Sequence, residues 1–178
     1  LIPIAMGPLG MVSRVMAGRY GAPFTFACVE AGSEAAPGQI PVAELAGTYR
    51  VREVTPATRL FGVVGQSVAR SLSPAIHNAG FAAREIDAVY VPLQAEALTA
   101  FLAALPALGL SGFSVTRPFK VDLVPYLSEL DDIAALSGSV NTVTVDNGRL
   151  RGASTDGAGV VLPLKKRTTL KGRTVVIL

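Results

Sequence analysis

The stretch AVYVPLQAEALTAFLAALPALGLSGFSVT, residues 88–116, decides the fold. It opens on the apolar run Ala88–Leu93 and closes on Gly112–Thr116, and both runs have the length and composition of buried strands. Between them, apolar side chains recur at the i, i+3, i+4 and i+7 spacing of an amphipathic helix: Leu98, Phe101, Leu102 and Leu105. A strand, a helix and a second strand in this order predict two parallel strands of one sheet with the helix across one face.

The same alternation continues on both sides of this stretch. Leu60–Val64 has a strand pattern and is followed by the loop Gly65–Leu72. Ser73 is then typical of a helix N-cap, with Pro74 at the first helical position. Further along the chain, we predict helices near Lys120–Ser128, Asp131–Ser137 and Gly157–Leu164 and an apolar strand at Arg173–Leu178.

Two more strand patterns, Val140–Val145 and Arg149–Gly152, flank the turn Asp146-Asn147-Gly148. Asn-Gly and Asp-Asn-Gly turns are strong signals of an antiparallel hairpin because their residues accept positive φ angles. The predicted fold class of residues 60–160 is therefore α/β, a three-layer αβα domain with a mostly parallel sheet and an antiparallel hairpin at one side.

Residues 1–50 predict a separate βαβα unit. Its strands would be Leu1–Ala5 and Pro23–Val29, and its helices would follow Gly10 and cover Pro41–Tyr49. Such a unit buries little core alone, so we expect it to be poorly ordered, or to lean on residues 60–160 or on another chain. Residues 51–59 are polar around Pro56 and are interpreted as a linker, and residues 161–178 as a connection and the first strand of a further unit.

Composition excludes several classes of function. Half of the 178 residues are apolar, the net charge is +3, and no apolar run has the length of a membrane span. The basic run Lys165–Arg167 lacks neighbouring aromatics, so a solvated helix end is favoured over nucleic-acid binding. One cysteine, Cys28, excludes an intrachain disulfide and a cysteine-rich metal site, and a buried thiol is expected. We expect a cytoplasmic protein without a signal peptide, and the oligomeric state stays open.

Polar side chains gather where the predicted strands end, which is where open α/β sheets bind ligands. The hydroxyl, amide, ammonium and carboxylate groups in these positions would suit a small polyhydroxylated acid, since each buried hydroxyl needs a partner. Each of them also has a structural alternative, as a helix cap, a loop hydroxyl, a solvated lysine or a strand-edge residue. His77 is interpreted as structural. The candidate site residues are Ser71, Ser73, Thr116, Lys120, Asn141 and Asp156.

Taken in order, the short motifs around these residues resemble the shikimate dehydrogenase substrate domain over about residues 60–160. The motifs are FGVVG at 61–65, SLSPAIHN at 71–78, GFSVTRPFK at 112–120, VNT at 140–142 and STDG at 154–157. The resemblance implies that Ser71 and Ser73 hold the carboxylate of shikimate or 3-dehydroshikimate. It also implies that Thr116, Asn141, Lys120 and Asp156 hold the ring hydroxyls, with Lys120 and Asp156 as the catalytic pair. Two residues depart from the family pattern: Ser154 replaces an Asn, and Ser139 replaces an Ala.

The first fifty residues resemble the last quarter of a type I 3-dehydroquinate dehydratase, a (β/α)8 barrel, through Met6–Arg14 and Ala36–Gln39. The resemblance implies that Arg14 binds a substrate carboxylate and Gln39 a hydroxyl, while Ala35 stands where many members have a Ser. That enzyme uses a lysine Schiff base assisted by a histidine. Residues 1–59 contain neither Lys nor His, so this segment cannot perform that reaction.

Both resemblances together imply a bifunctional dehydratase and NADP-dependent shikimate dehydrogenase of aromatic amino acid biosynthesis. The resemblance places the NADP phosphate loop after Arg173–Leu178, beyond this sequence, and Gly157-Ala158-Gly159 does not replace it because it follows no strand. We therefore expect substrate binding without turnover. Two alternatives remain, a quinate/shikimate dehydrogenase of catabolism and a non-catalytic ligand sensor. The pair Ser71 and Ser73 favours shikimate over quinate, and the intact Lys120 and Asp156 argue against a sensor.

Overall fold

A computed structural model describes residues 2–7, 10–174 and 176 of the chain. Its strands are β1 (Arg59–Gly65), β2 (Ala88–Gln94), β3 (Leu110–Val115), β4 (Glu129–Leu130), β5 (Thr142–Asp146) and β6 (Arg149–Ala153). Its α-helices are α1 (Met11–Val15), α2 (Val42–Gly47), α3 (Ser73–Ala83), α4 (Leu98–Leu108), α5 (Phe119–Asp122), α6 (Asp132–Ser137) and α7 (Asp156–Lys165). Short 3-10 turns lie at Gly18–Tyr20, Val51–Glu53 and Val124–Tyr126.

The six strands form one mixed sheet in the order β2-β1-β3-β5-β6-β4. Strand β1 pairs in parallel with both β2 and β3, β3 pairs antiparallel with β5, and β5 and β6 form the predicted hairpin. Its turn uses Asn147 at φ 49° and Gly148 at φ 78°, the positive angles that the Asn-Gly pair accepts at little cost. The predicted α/β class is confirmed: β1, β2 and β3 form a parallel half of the sheet, and in the other half β4 pairs in parallel with β6.

Helices cover both faces of the parallel half, because successive side chains of a buried strand point to opposite faces. On one face Phe101 of α4 packs edge-on against Phe113 of β3, with ring centroids 5.1 Å apart. On the other face α3 covers a smaller cluster that includes Val63 and Tyr90. Asn78 of α3 secures this layer, since its buried side chain exchanges two 2.8 Å hydrogen bonds with the Tyr90 backbone. The three-layer arrangement is thus confirmed for this half.

The predicted strands of the first fifty residues are wrong. Residues 2–6 form no strand, and in Pro23–Val29 only Cys28 makes an isolated bridge, to Pro41. A strand exists only when a neighbour pairs with its edge, and the described residues supply no such neighbour here. Leu1 lies outside the described residues.

The helices of this segment are present, and they lean on the sheet. Their buried side chains belong to the same continuous core as β1, β2 and β3: Val12, Val15, Met16, Leu45 and Tyr49. Of the expected outcomes for residues 1–50, packing against residues 60–160 is therefore the one observed. Arg19 adds a polar link, since its Nη2 donates to the carbonyl of Gly109, which ends α4 in the left-handed conformation.

Two further predictions need correction. The helix expected over Lys120–Ser128 is broken into α5 and the turn Val124–Tyr126, because Pro125 lacks the N–H that a continuing helix requires. Of the strand expected at Arg173–Leu178, the described residues Arg173, Thr174 and Val176 are not in a strand, and the other three lie outside the described residues.

Amide hydrogen exchange should be faster in the segment Pro23–Val29 than in strand β3. The amides of Thr25, Phe26 and Ala27 donate no hydrogen bond in the described part of the chain, whereas Val115 donates to the Asn141 carbonyl at 2.8 Å within the sheet. We expect the first three amides to exchange orders of magnitude faster than Val115 when followed by NMR. Equal protection would mean that Pro23–Val29 pairs as a strand after all.

Candidate functional site

The topology brings four segments to one edge of the sheet. This edge holds the carboxyl ends of β1 and β3, and the antiparallel hairpin adds the start of β5 and the end of β6. Lys120 follows β3 in the first turn of α5, Asn141 directly precedes β5, and Asp156 opens α7 after β6. Residues that are far apart in sequence can therefore contact one another here.

Three predicted site residues form one hydrogen-bonded cluster. Lys120 Nζ lies 2.5 Å from Asp156 Oδ2, and Asn141 Nδ2 donates to Asp156 Oδ1 at 2.8 Å. Both oxygens of the carboxylate are thus engaged by donors from two other segments. The backbone supports the pair as well, because the Val140 N–H donates to the Lys120 carbonyl at 2.9 Å.

Asn141 is itself held in one orientation. Its Oδ1 accepts from the Thr155 N–H at 3.1 Å and from the Thr142 hydroxyl at 2.9 Å, while its Nδ2 also donates to Thr155 Oγ1 at 2.8 Å. An acceptor role for one amide atom and a donor role for the other fix the direction of the side chain. Thr155 belongs to the STDG motif, but no sequence pattern identifies it as a partner of Asn141.

The electrostatics of the cluster favour the ionised carboxylate. The hydrogen bond from Lys120, with smaller contributions from Asn141 and from the lysine charge, lowers the pKa of Asp156 below its usual range. Burial opposes this lowering of the pKa and is a larger influence than Asn141 or the lysine charge, although the Asp156 side chain is 56% exposed. A charged pair with this much solvent access contributes little to stability. The effect of the Lys120–Asp156 contact is therefore to orient the two side chains.

A pH titration tests this geometry. Because the folded-state pKa of Asp156 is depressed, the pair is intact above the usual carboxyl pKa and is lost as pH falls through the lowered value. Lys120→Met removes the main cause, so it should raise the pKa of Asp156, measured from the carboxyl carbon shift by NMR. An unchanged pKa would mean that the two side chains do not meet in solution.

Thr116 lies at the same edge, where the two parallel strands end. Its N–H donates to the Val64 carbonyl at 2.9 Å, and a Cβ on Gly65 would lie 2.5 Å from Thr116 Cγ2. The glycine therefore permits the close approach of the two strand ends. The Thr116 hydroxyl makes no hydrogen bond within the described part of the chain, and it makes none to Lys120, Asn141 or Asp156.

Ser71 and Ser73 sit in the loop that follows Gly65 and at the start of α3. The expectation that Ser73 caps this helix is wrong, since α3 begins at Ser73 and the Ser71 hydroxyl accepts the Ser73 N–H at 3.2 Å. Both serines are half-buried. The Ser73 side chain makes no hydrogen bond among the described residues, so its hydroxyl is available to a ligand.

The two candidates of the first segment are engaged locally. Arg14 is only 1% exposed, and its Nη1 and Nη2 donate to the carbonyls of Ala5 and Pro37 at 2.7 and 3.4 Å. Gln39 Oε1 accepts the Ala35 N–H at 2.9 Å. The structure thus brings Arg14 to the turn that carries Gln39, and backbone groups engage Arg14 Nη1 and Nη2 and Gln39 Oε1.

The remaining expectations concern residues outside the site. His77 stacks on the Tyr90 ring with centroids 4.2 Å apart, and burial lowers its pKa, which agrees with a structural role. Cys28 is buried as expected. Among residues 2–7, 10–174 and 176, no group of three His, Cys, Asp or Glu side chains could hold a metal ion, and no helix is long and apolar enough to cross a membrane.

The described residues do not fit a nicotinamide dinucleotide. Such cofactors need a glycine-rich loop between a strand and a helix, so that backbone N–H groups can surround the phosphates. Gly157 and Gly159 instead lie within α7, which follows the loop Ser154–Thr155. The loop between β1 and α3, residues 66–72, contains no glycine, and Gly65 is the last residue of β1.

Comparison with known protein families shows which families the two segments of the chain resemble. Residues 63–143 match the model of the shikimate dehydrogenase substrate binding domain, and residues 1–56 match that of type I 3-dehydroquinase. Residues 63–143 are thus similar to the substrate binding domain of shikimate dehydrogenases. They contain Ser71, Ser73, Thr116, Lys120 and Asn141, while Asp156 lies just beyond the matched range.

One relative combines both families in its name, and another corresponds to the shikimate dehydrogenase part. The bifunctional 3-dehydroquinate dehydratase/shikimate dehydrogenase of Arabidopsis thaliana, a chloroplastic protein, is 33% identical over 90% of this chain and 27% of its own length. The NADP(+) shikimate dehydrogenase of Geobacter sp. is 45% identical over 70% of this chain and 44% of its own. The chain thus spans between about a quarter and a half of the length of these relatives.

A solved relative shares the fold of the sheet domain. The crystal structure of shikimate 5-dehydrogenase from Listeria monocytogenes, in complex with shikimate and NAD, superposes with a TM-score of 0.59 and 37% sequence identity. The match covers 63% of this chain and 39% of that one. It supports the α/β assignment for the shikimate dehydrogenase-like part.

Proposed function

We propose that residues 60–160 bind shikimate and 3-dehydroshikimate as the substrate domain of an NADP-dependent shikimate dehydrogenase. The observation that carries this proposal is the Asp156 carboxylate held by Lys120 and Asn141 at the edge of the sheet. Residues 1–50 are assigned to a dehydratase-like segment, residues 51–59 to a linker, and residues 161–178 to a connection and the start of a cofactor unit. The parent activity is that of a bifunctional enzyme in aromatic amino acid biosynthesis.

The chemistry of a cyclic hydroxy acid matches the groups at this edge. The half-buried hydroxyls of Ser71 and Ser73, beside the N-terminus of the 11-residue helix α3, suit a carboxylate. Thr116 and Asn141 offer a hydroxyl and an amide to the ring hydroxyls, each of which both donates and accepts. The charged pair then meets the hydroxyl that is oxidised.

The roles of the pair follow from proton balance. Oxidation of an alcohol carbon releases the hydroxyl proton, so a group within hydrogen-bond reach must accept it. Lys120 in contact with Asp156 is the acid–base group proposed here: in the oxidation its neutral amine accepts the proton and becomes an ammonium that Asp156 orients, and in the reduction the ammonium donates a proton. The names of the relatives support NADP as the cofactor, while this chain's own residues supply the binding of the substrate and the handling of the proton.

The first segment is proposed to have no dehydratase activity. It contains no Lys and no His for Schiff-base chemistry, and Arg14 and Gln39 donate to or accept from its own backbone. Its helices instead complete the core of the sheet domain. The cytoplasm remains our expected compartment.

Calorimetry with shikimate on this chain tests the proposal. We expect binding at millimolar or lower concentration, and Asp156→Asn should weaken it about tenfold because a charge-assisted hydrogen bond is lost. Asp132→Asn is the matched control, since Asp132 is exposed on α6, and it should bind as the unchanged chain does. No binding at millimolar shikimate would refute the proposal, and tighter binding of quinate would favour the catabolic alternative.

A further inference from the structure

Three backbone groups of the loop that carries Asp156 are hydrogen-bonded to Asn141 or Asp131. The Ala153 carbonyl accepts the Asn141 N–H at 3.1 Å, and the Thr155 N–H donates to Asn141 Oδ1 at 3.1 Å. Between them lies Ser154, which is buried at 7% exposure. The acceptor for its N–H is the carboxylate of Asp131, with Oδ1 at 3.3 Å and Oδ2 at 3.4 Å.

Asp131 also organises the segment that leads to Asn141. Its Oδ1 accepts the Ala134 N–H at 2.7 Å and so caps α6, and its own N–H donates to the Gly152 carbonyl at 2.9 Å. Helix α6 ends at Gly138 in the left-handed conformation, and the chain then runs through Val140 into Asn141. One carboxylate therefore joins the helix before Asn141 to the loop before Asp156.

We propose that Asp131 is a positioning residue that fixes Asp156 for contact with the substrate. This inference rests on the proposed function, because it assigns Asp131 a role through Asp156. Within the described part of the chain, Asp131 hydrogen-bonds only to backbone N–H and carbonyl groups, so it shapes the loop without touching the reacting atoms. A buried N–H that loses its acceptor is costly, so the loop would rearrange if the carboxylate were removed.

The hydrogen bond between the Ser154 N–H and the Asp131 carboxylate matters because of which residue stands at position 154. Ser154 stands where the resemblance leads one to expect Asn, a change that would be expected to weaken the ordering of the loop. The loop is instead fastened through the Ser154 backbone N–H, a contact independent of the Ser154 side chain. Any residue except Pro at position 154 can make this contact, provided that an acceptor with the reach of Asp131 is present.

Two substitutions of Asp131 distinguish its role as the N-cap of α6 from its contact with the loop that carries Asp156. Asp131→Thr keeps a hydroxyl that can cap α6 at Ala134 but is too short to reach Ser154 as well. Asp131→Asn keeps Oδ1, which contacts both N–H groups, and loses only the longer contact of Oδ2 with the Ser154 N–H, so it should weaken shikimate binding by no more than about twofold. Comparing the two therefore isolates the contact with Ser154.

A double-mutant cycle with Asp156→Asn, read by calorimetry with shikimate on this chain, tests the inference. With Asp156 present, Asp131→Thr should weaken shikimate binding about fivefold. In the Asp156→Asn background, the same change should have almost no further effect, because the group that Asp131 positions has lost its charge. Asp131→Asn should restore binding to within about twofold.

Each outcome has one meaning. A weakening that is equal in both backgrounds would overturn the inference, because Asp131 would then act on the fold in general. No weakening by Asp131→Thr would overturn it as well. If Asp156→Asn itself leaves binding unchanged, the proposed function fails instead, and the two failures are therefore distinguishable.

Discussion

Replacing Lys120 with Ala is expected to lower the turnover of shikimate by about 10²- to 10⁴-fold, the usual contribution of a positioned acid–base group. The reaction would be followed as NADP reduction by the full-length gene product. Lys120 Nζ lies 2.5 Å from Asp156 Oδ2, where the ammonium is oriented by a carboxylate that Asn141 also holds. Shikimate affinity should fall far less than turnover, since other groups at the sheet edge still bind the ring.

Two further variants show which property of Lys120 matters. Lys120→Arg keeps the positive charge but cannot give up its proton, so binding should survive while turnover stays low. Lys166→Ala removes an exposed lysine just after α7 and should leave both quantities unchanged. If Lys120→Ala lowers affinity and turnover equally, the lysine only binds the substrate. Full activity of Lys120→Arg would exclude a proton-transfer role.

The sheet domain was predictable because its signals are local. Asn147 and Gly148 specify their turn through their own φ angles, and the spacing of Leu98 and Phe101 specifies a helix with one buried face. The first fifty residues contain equally apolar runs, yet Pro23–Val29 forms no strand. Strand formation depends on a neighbouring edge, which is a property of the whole fold and not of the run itself.

The difference between local sequence signals and properties of the whole fold also applies to the site. Lys120, Asn141 and Asp156 could be named from short motifs, and the structure brings all three together. Asp131 could not, because an Asp before a helix predicts a cap and nothing more. Its second contact, with Ser154, depends on the pairing of β4 with β6, which no local pattern determines.

Because residues 1–50 pack on the sheet, removing one of their buried side chains should lower the stability of the whole chain. Met16→Ala should destabilise the chain by about 2–5 kcal/mol, the usual cost of deleting a fully buried Met side chain. Met16 has no exposed surface and belongs to the same core as Val89 and Val91 of β2. Denaturant unfolding measures this loss. Met6→Ala is the matched control, because Met6 is 63% exposed, and it should cost less than about 0.5 kcal/mol.

Hydrogen exchange decides whether this segment and the sheet unfold as one unit. If they share one cooperative core, Met16→Ala should accelerate exchange at Phe113 and Val115 in β3, although neither residue belongs to the first fifty. The acceleration should correspond to the loss of stability measured by denaturant, because both report the same global opening. Unchanged exchange in β3 would mean that residues 1–50 open independently, and the substrate site at the sheet edge would then not depend on them.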